Sequence, residues 1–481
     1  MTGQTEGIVA SGGISELKRS RISVHMTRVL SSGWLAASSH PISAAFSVAL
    51  LVRVIAAVAI TIHSGYLFPD EQSYVTLGHL AATGQLDANS LAGFGQTLFR
   101  EAASFMWPVT FLFWIFGDHI LVAALWAALF GAVTAVLTAL LVSRVLGKSW
   151  AALAGLAAAL FPSQILWSSV VLRESMVWAG LAGAAFGVTL LGQAENRRSL
   201  LGAAVLIGVS LFDLAFLREW AFVAGLWATG LSIWLFRPAR PVLARGICLV
   251  LWLTIPLAQG YGPGAVGLLN KETGLLGYER SVLSIGAQSA FVHPPVVRIG
   301  YGRSGLAVGA KSALVPPPVG STQRKTRTGS AVTPATATST PTSVIPLAIS
   351  GEGYLVNNGI RGDIRELPRG AIAFLFRPIP GQHGDGLSYD FASFEELLYY
   401  PLYVLALIGV FAYRRRRDII GFAVLVIIGI TGIAADTEGN LGSAFRHRDQ
   451  LLWAFVLLAT LGVAYLRSRY IARRSAHLAS D

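Results

Sequence analysis

The sequence predicts an all-α polytopic membrane protein with about ten transmembrane helices, on three observations. Of 481 residues, 54% are hydrophobic and only 13% are charged, where a soluble domain carries roughly a quarter charged residues. Mean hydropathy is +0.60. The apolar residues gather into runs long enough to cross a bilayer, which takes about 20 residues of helix. A net charge of +12 would fit nucleic-acid binding in a soluble protein. Here the basic residues sit between apolar runs, the distribution that orients a membrane protein, so nucleic acid is set aside as a partner. The single cysteine, Cys248, lies inside an apolar run, which excludes an intrachain disulfide and a thiolate metal cage.

The first run is 43–67. It is followed by 118–143, 150–167, 170–192, 199–217, 219–236, 243–262, 396–413, 418–435 and 449–466. The segment 105–116 is apolar but too short to cross, and reads as interfacial or re-entrant. Positive charge then fixes the sides. With the N-terminus inside and each run crossing once, the dense basic clusters all fall on the cytoplasmic side. These are Arg144 with Lys148, Arg197 with Arg198, Arg237 with Arg240 and Arg245, Arg414 to Arg417, and Arg467, Arg469, Arg473 and Arg474. One helix more or fewer would break that agreement, so both termini are expected inside.

The polar remainder divides accordingly. Residues 1–41, with Lys18, Arg19, Arg21 and Arg28, lack a signal-peptide pattern and read as a cytoplasmic tail. Residues 42–262 form the transmembrane core, with a first extracytoplasmic loop at 64–117. A large extracytoplasmic loop spans 263–395, and within it 315–346 is rich in Pro, Thr, Ser and Ala, a composition that builds no core. The stretch 353–380 reads as structured. The last helices occupy 396–466, and 467–481 is a second cytoplasmic tail.

The same alternation gathers a different set of residues outside. Asp70-Glu71 follows the first run directly, and charge is costly at membrane depth. One reading makes the pair a general base with a supporting carboxylate. The other makes it a helix start, because Pro69-Asp-Glu is first-turn chemistry favoured by the helix dipole. Arg173-Glu174 follow the break at Phe161-Pro162-Ser163, either as substrate contacts or as a local ion pair. Arg446-His447-Arg448 precede the final run. Cations are expected inside rather than outside, so this trio reads as a phosphate-binding cluster or as an interfacial belt. Asp213, Arg218 and Glu219 read mainly as ion pairs within one turn. Arg377 is a candidate cap of the groove or an interfacial anchor. Arg53 lies 17 residues before Asp70, about 26 Å along a helix. It is expected to snorkel to the cytoplasmic interface and is given no role.

These residues carry a resemblance. Asp70-Glu71 with Tyr74, the Phe161-Pro-Ser…Trp167-Ser-Ser…Arg173-Glu174 stretch, the late outer loop, and Asn440-Leu-Gly…Arg446-His-Arg448 resemble the GT-C superfamily of polytopic glycosyltransferases. The likeness is greatest to the family 39-type bacterial proteins related to protein O-mannosyltransferases and lipid A aminoarabinose transferases. It covers roughly residues 45–235 and 370–466, and leaves 263–350 unmatched. Where many relatives carry Lys-Asp, this chain carries Arg173-Glu174. The resemblance implies a plasma-membrane transferase that moves a sugar from a polyprenyl-phosphate donor on the extracytoplasmic face. It makes Asp70 the base and Glu71 its support. Tyr74, Arg173, Glu174, Arg218, Arg377, Arg446, His447 and Arg448 become candidate substrate contacts. Some members need a divalent metal and others do not, and no ligand set is evident here.

Two other classes fit a polytopic chain. An O-antigen-type polymerase or ligase would rest on outer-loop arginines instead of Asp70. A lipid or solute transporter would place ionisable residues near the midplane and show paired repeats, and no repeat is evident in the sequence.

Overall fold

Each predicted run is mostly helix over its described residues. The structure, a computed structural model, describes residues 34–63, 67–86, 99, 102–236, 238–258, 367–382, 387–437 and 441–479. The N-terminal tail up to residue 33, the linker 315–346, Arg237, Glu438 and Asn440 lie outside them. Among the described residues there is no strand.

The helices, in chain order, are α1 (Pro41–His63), α2 (Pro69–Ala82), α3 (Ala103–Phe116), α4 (Ile120–Leu146), α5 (Lys148–Leu160) and α6 (Pro162–Trp167). Then come α7 (Glu174–Gln193), α8 (Arg197–Ala215), α9 (Glu219–Leu235), α10 (Pro241–Ala258) and α11 (Leu367–Phe376). The last are α12 (Leu387–Ala412), α13 (Arg417–Thr437), α14 (Leu441–Arg448) and α15 (Leu452–Leu478), with a 3-10 turn at Asp449–Leu451 before α15. Among the described residues, seven segments are long and apolar enough to cross a membrane: Pro41–His63, Ile120–Leu146, Glu174–Gln193, Arg197–Ala215, Asp390–Ala412, Arg417–Ala435 and Ala444–Leu478.

Two predicted spans fall short of that length, and a third, 243–262, is described only to residue 258. The run 150–167 breaks at Phe161, whose backbone is extended (φ −67°, ψ 127°). The break leaves 13 residues in α5 and 6 in α6. Helices α9 and α10 hold 17 and 18 residues. The short segment at 105–116 is helix α3. It buries Phe105, Met106, Val109 and Phe113 and exposes Trp107, Phe111 and Trp114. Of the stretch 353–380, residues 353–366 lie outside the described residues and the rest contains α11.

Small residues let these helices approach closely. Ala45 and Ala49 of α1 and Ala132, Ala135 and Ala139 of α4 are fully buried. Helices α12 and α15 cross at Gly409 and Gly462. A Cβ on Gly409 would lie 2.0 Å from the Leu458 carbonyl, and one on Gly462 would lie 2.1 Å from the Leu405 carbonyl. That crossing fixes the start of α15, and with it the preceding Arg446 to Asp449.

Candidate functional site

The site begins with the broken helix. Pro162 has no N–H to give, and the helix cannot continue through it. In an unbroken helix the Ser163 N–H would serve the Ala159 carbonyl. Instead Ser163 N donates to Glu395 Oε1 at 2.6 Å, and Arg53 Nη1 donates to the Ala159 carbonyl at 2.9 Å. Arg53 Nη1 also donates to the Ala49 carbonyl at 3.0 Å, and its Nε to Ser168 Oγ at 2.7 Å. Arg53 is fully buried. The expectation that it snorkels is therefore corrected: the Ala159 carbonyl freed at the break, the Ala49 carbonyl of its own helix and a serine hydroxyl supply the partners it would otherwise seek at the interface.

Beyond the break, Ser168 to Arg173 run without helix and deliver Glu174 to the first position of α7. Glu174 is buried, and its Oε1 lies 2.8 Å from Arg218 Nη2 and 3.4 Å from Arg446 Nε. Arg446 Nη1 lies 2.9 Å from Asp70 Oδ2. Four groups from four distant stretches thus join: Asp70 opens α2, Glu174 opens α7, Arg218 precedes α9, and Arg446 lies in α14. Two guanidinium groups face two carboxylates. The carboxylates differ in access, because the Asp70 side chain is 46% exposed and that of Glu174 is 2% exposed. The Arg446 side chain keeps 15% exposure.

An aromatic wall backs this cluster. Trp167 packs 4.6 Å from the Phe68 ring and 6.2 Å from the Phe445 ring, and the Arg446 guanidinium stands 6.0 Å over Trp167. Arg218 stands 5.4 Å over the Trp220 ring, and His447 meets the same indole at 5.1 Å. Burial pulls the Arg218 guanidinium down to about 10, against the opposing pull of Glu174. Tyr74 is buried against Phe105, within the field of Arg173, Glu174, Arg218 and Arg446. Burial raises its phenol above the usual value.

The adjacent carboxylates Asp70 and Glu71 take different roles because successive helical residues point about 100° apart. Glu71 turns inward. Its Oε2 accepts the Leu67 N–H and its Oε1 accepts the Val171 N–H, each at 3.0 Å. It ties the start of α2 to the stretch that carries Arg173 and Glu174. Burial raises its carboxyl above the ordinary value, and those N–H groups oppose the rise. Glu71 is thus a positioning group.

The trio Arg446, His447 and Arg448 does not form one cation cluster. The residues diverge around α14. Arg448 is fully buried, with Nη1 2.6 Å from Glu396 Oε2, and it donates to the Leu375 and Arg377 carbonyls at 3.1 and 3.0 Å. Those carbonyls end α11, where helix geometry leaves them without partners. Arg377 contributes this carbonyl, while its side chain is exposed and stands apart from the cluster. Arg173 Nη1 donates to the Leu217 carbonyl at 2.7 Å, so Arg173 and Glu174 are not a simple local pair. Arg218 likewise reaches Glu174 on another helix, whereas Asp213 bonds Ser104 at the start of α3.

Sequence reasoning missed a second buried group. Asp449 Oδ1 accepts from Ser163 Oγ at 2.7 Å and from the Tyr399 hydroxyl, and the Asp449 carbonyl accepts from Gln164 Nε2 at 2.9 Å. Glu395, Glu396 and Asp449 therefore surround the break and Arg448. The available signal was a Glu-Glu pair at the edge of an apolar run, since intramembrane charge is rarely idle. Among the described residues no group of three or more His, Cys, Asp or Glu would hold a metal ion, so no residue is assigned to one. A cavity of about 370 Å³, lined by Gly192, Phe236, Arg415, Arg417 and Asp418, belongs to the far ends of α7 and α9. At 1.5 Å per residue it stands roughly 25 Å from the Glu174 cluster.

Comparison of the chain with protein families, characterised proteins and solved structures finds no match.

Proposed function

We propose that the chain is a membrane glycosyltransferase that takes a sugar from a polyprenyl-phosphate donor at the extracytoplasmic surface, as its resemblance to the GT-C superfamily implies. The observation that carries the proposal is the position of Arg446, which bridges an exposed carboxylate (Asp70) and a buried one (Glu174) at one end of the helices. Direct displacement with inversion asks little more. Asp70 accepts the proton of the acceptor hydroxyl as that oxygen bonds the anomeric carbon. The bond from that carbon to the phosphate oxygen breaks, and Arg446 receives the phosphate, with Arg218 and Arg173 behind it. A phosphate leaves as a stable anion, so no separate acid is required.

Ten crossings with both termini cytoplasmic agree with where the charges lie along the helices. Arg144, Lys148, Arg197 and Arg417 stand at the ends opposite to Glu174, Arg218 and Arg446. A transport reading has one observation behind it: Arg53, Glu395, Glu396 and Asp449 are buried within apolar segments. Their partners are the broken helix and Arg448, which gives them a structural use.

Membranes carrying the protein, supplied with a radiolabelled polyprenyl-phosphate sugar, are expected to release free polyprenyl phosphate and pass label to a non-lipid acceptor or a second lipid. Membranes without the protein should keep the label on the donor. Label that crosses the bilayer on an intact donor would instead establish transport.

A further inference from the structure

We infer that Arg446 is a latch, holding Asp70 until the anionic group of the donor displaces it. The inference rests on the donor reading above but adds an order of events to it. Arg446 makes two ion pairs of unequal character. Glu174 is buried at the head of α7 and is also held by Arg218 at 2.8 Å, so it has no freedom to leave. Asp70 pairs through Oδ2 alone at 2.9 Å, with its side chain 46% exposed. Water reaches the Asp70 side of this pair, so it is weaker than the pair with Glu174, which is largely buried on both sides. The Asp70 side of Arg446 is therefore the one that an incoming anion can take.

A phosphate there offers several oxygens to the guanidinium and can meet it with two parallel bonds, which Asp70 does not do. The exchange leaves the charge on Arg446 matched. It also releases the ion pair that holds Asp70 Oδ2 against Arg446 Nη1. The carboxylate is thus held toward Arg446 while the site is empty, and can turn to an acceptor hydroxyl once the donor is seated. Glu71 cannot substitute for it, because both of its oxygens accept backbone N–H groups. Phosphate on a lipid and free phosphate share this chemistry, so both belong in the test.

The inference makes an expectation opposite to that of a carboxylate that helps bind the donor. Polyprenyl phosphate, which carries no sugar, is titrated against the purified full-length protein and its variants, with inorganic phosphate in parallel. Asp70→Asn and Asp70→Ala should each bind the lipid about tenfold more tightly than wild type, because the competing anion is gone. Arg446→Gln should lose at least tenfold in affinity, and Arg446→Lys should lose less. Binding of inorganic phosphate with the same order among variants would assign the site to the headgroup alone, and the latch would stand. Equal or weaker binding by both Asp70 variants would overturn the latch, while Arg446-dependent binding by wild type would leave the donor reading intact. Absence of binding to any form, in samples with a wild-type melting profile, would overturn both.

Discussion

Replacing Asp70 by asparagine is expected to cut sugar transfer by roughly 10²–10⁴-fold, the contribution of a positioned general base. The same substitution should leave the yield and thermal midpoint of the folded protein close to wild type. Asp70 is half exposed, and loss of its water-screened ion pair with Arg446 should cost little stability. Asparagine keeps the shape of the side chain and loses only the capacity to take a proton. The comparison with Glu71→Gln separates the neighbouring carboxylates. That change disturbs the hydrogen bonds to Leu67 and Val171, so it should lower stability as well as activity. Near-normal turnover by Asp70→Asn in a well-folded sample would remove Asp70 as the base.

Loss of the Arg448 charge is expected to have the largest effect on folding. Arg448 is fully buried, pairs with Glu396 at 2.6 Å, caps the end of α11 and stacks 4.5 Å over the Tyr399 ring. Arg448→Met keeps much of the volume but leaves Glu395, Glu396 and Asp449 with no guanidinium among them. Breaking a buried pair by removing one partner costs about 3–5 kcal/mol, a large share of typical stability. The variant should fail to accumulate as a monodisperse species on size-exclusion chromatography, or should melt well below wild type. If Arg448→Met melted with the wild type, Arg448 would be free for another duty, and the phosphate cluster read from the sequence would regain its third member.

The contrast between Arg446 and Arg448 shows what the sequence could and could not convey. Hydropathy placed the helices, because each apolar run must satisfy its own backbone in lipid. Alternation of basic loops was enough to gather Asp70, Glu174, Arg218 and Arg446 at one expected surface. Pairing within that surface was hidden. Arg446, His447 and Arg448 look equivalent as a string, but one α-helical turn sends them to Asp70, Trp220 and Glu396. Arg53 was misplaced for a related reason. Two of its partners, the Ala159 carbonyl at the Pro162 break and the Ser168 hydroxyl, lie more than a hundred residues later, and no local pattern encodes them. Glu395 and Asp449 were given no role, since they stand at the margins of apolar runs, where a carboxylate is ordinarily read as a helix start. Pro162 was visible as a turn, yet its consequence, a Ser163 shared between two carboxylates, exists only in three dimensions.

The measurement that bears most directly on the account is the lipid profile of cells lacking this protein, complemented with wild type or with Asp70→Asn. A single-sugar polyprenyl phosphate should build up in the deleted cells, vanish with wild type and persist with Asp70→Asn. An unchanged profile, or a build-up of diphosphate-linked oligosaccharide, would contradict a transferase that draws on a polyprenyl-phosphate sugar through Asp70 and Arg446.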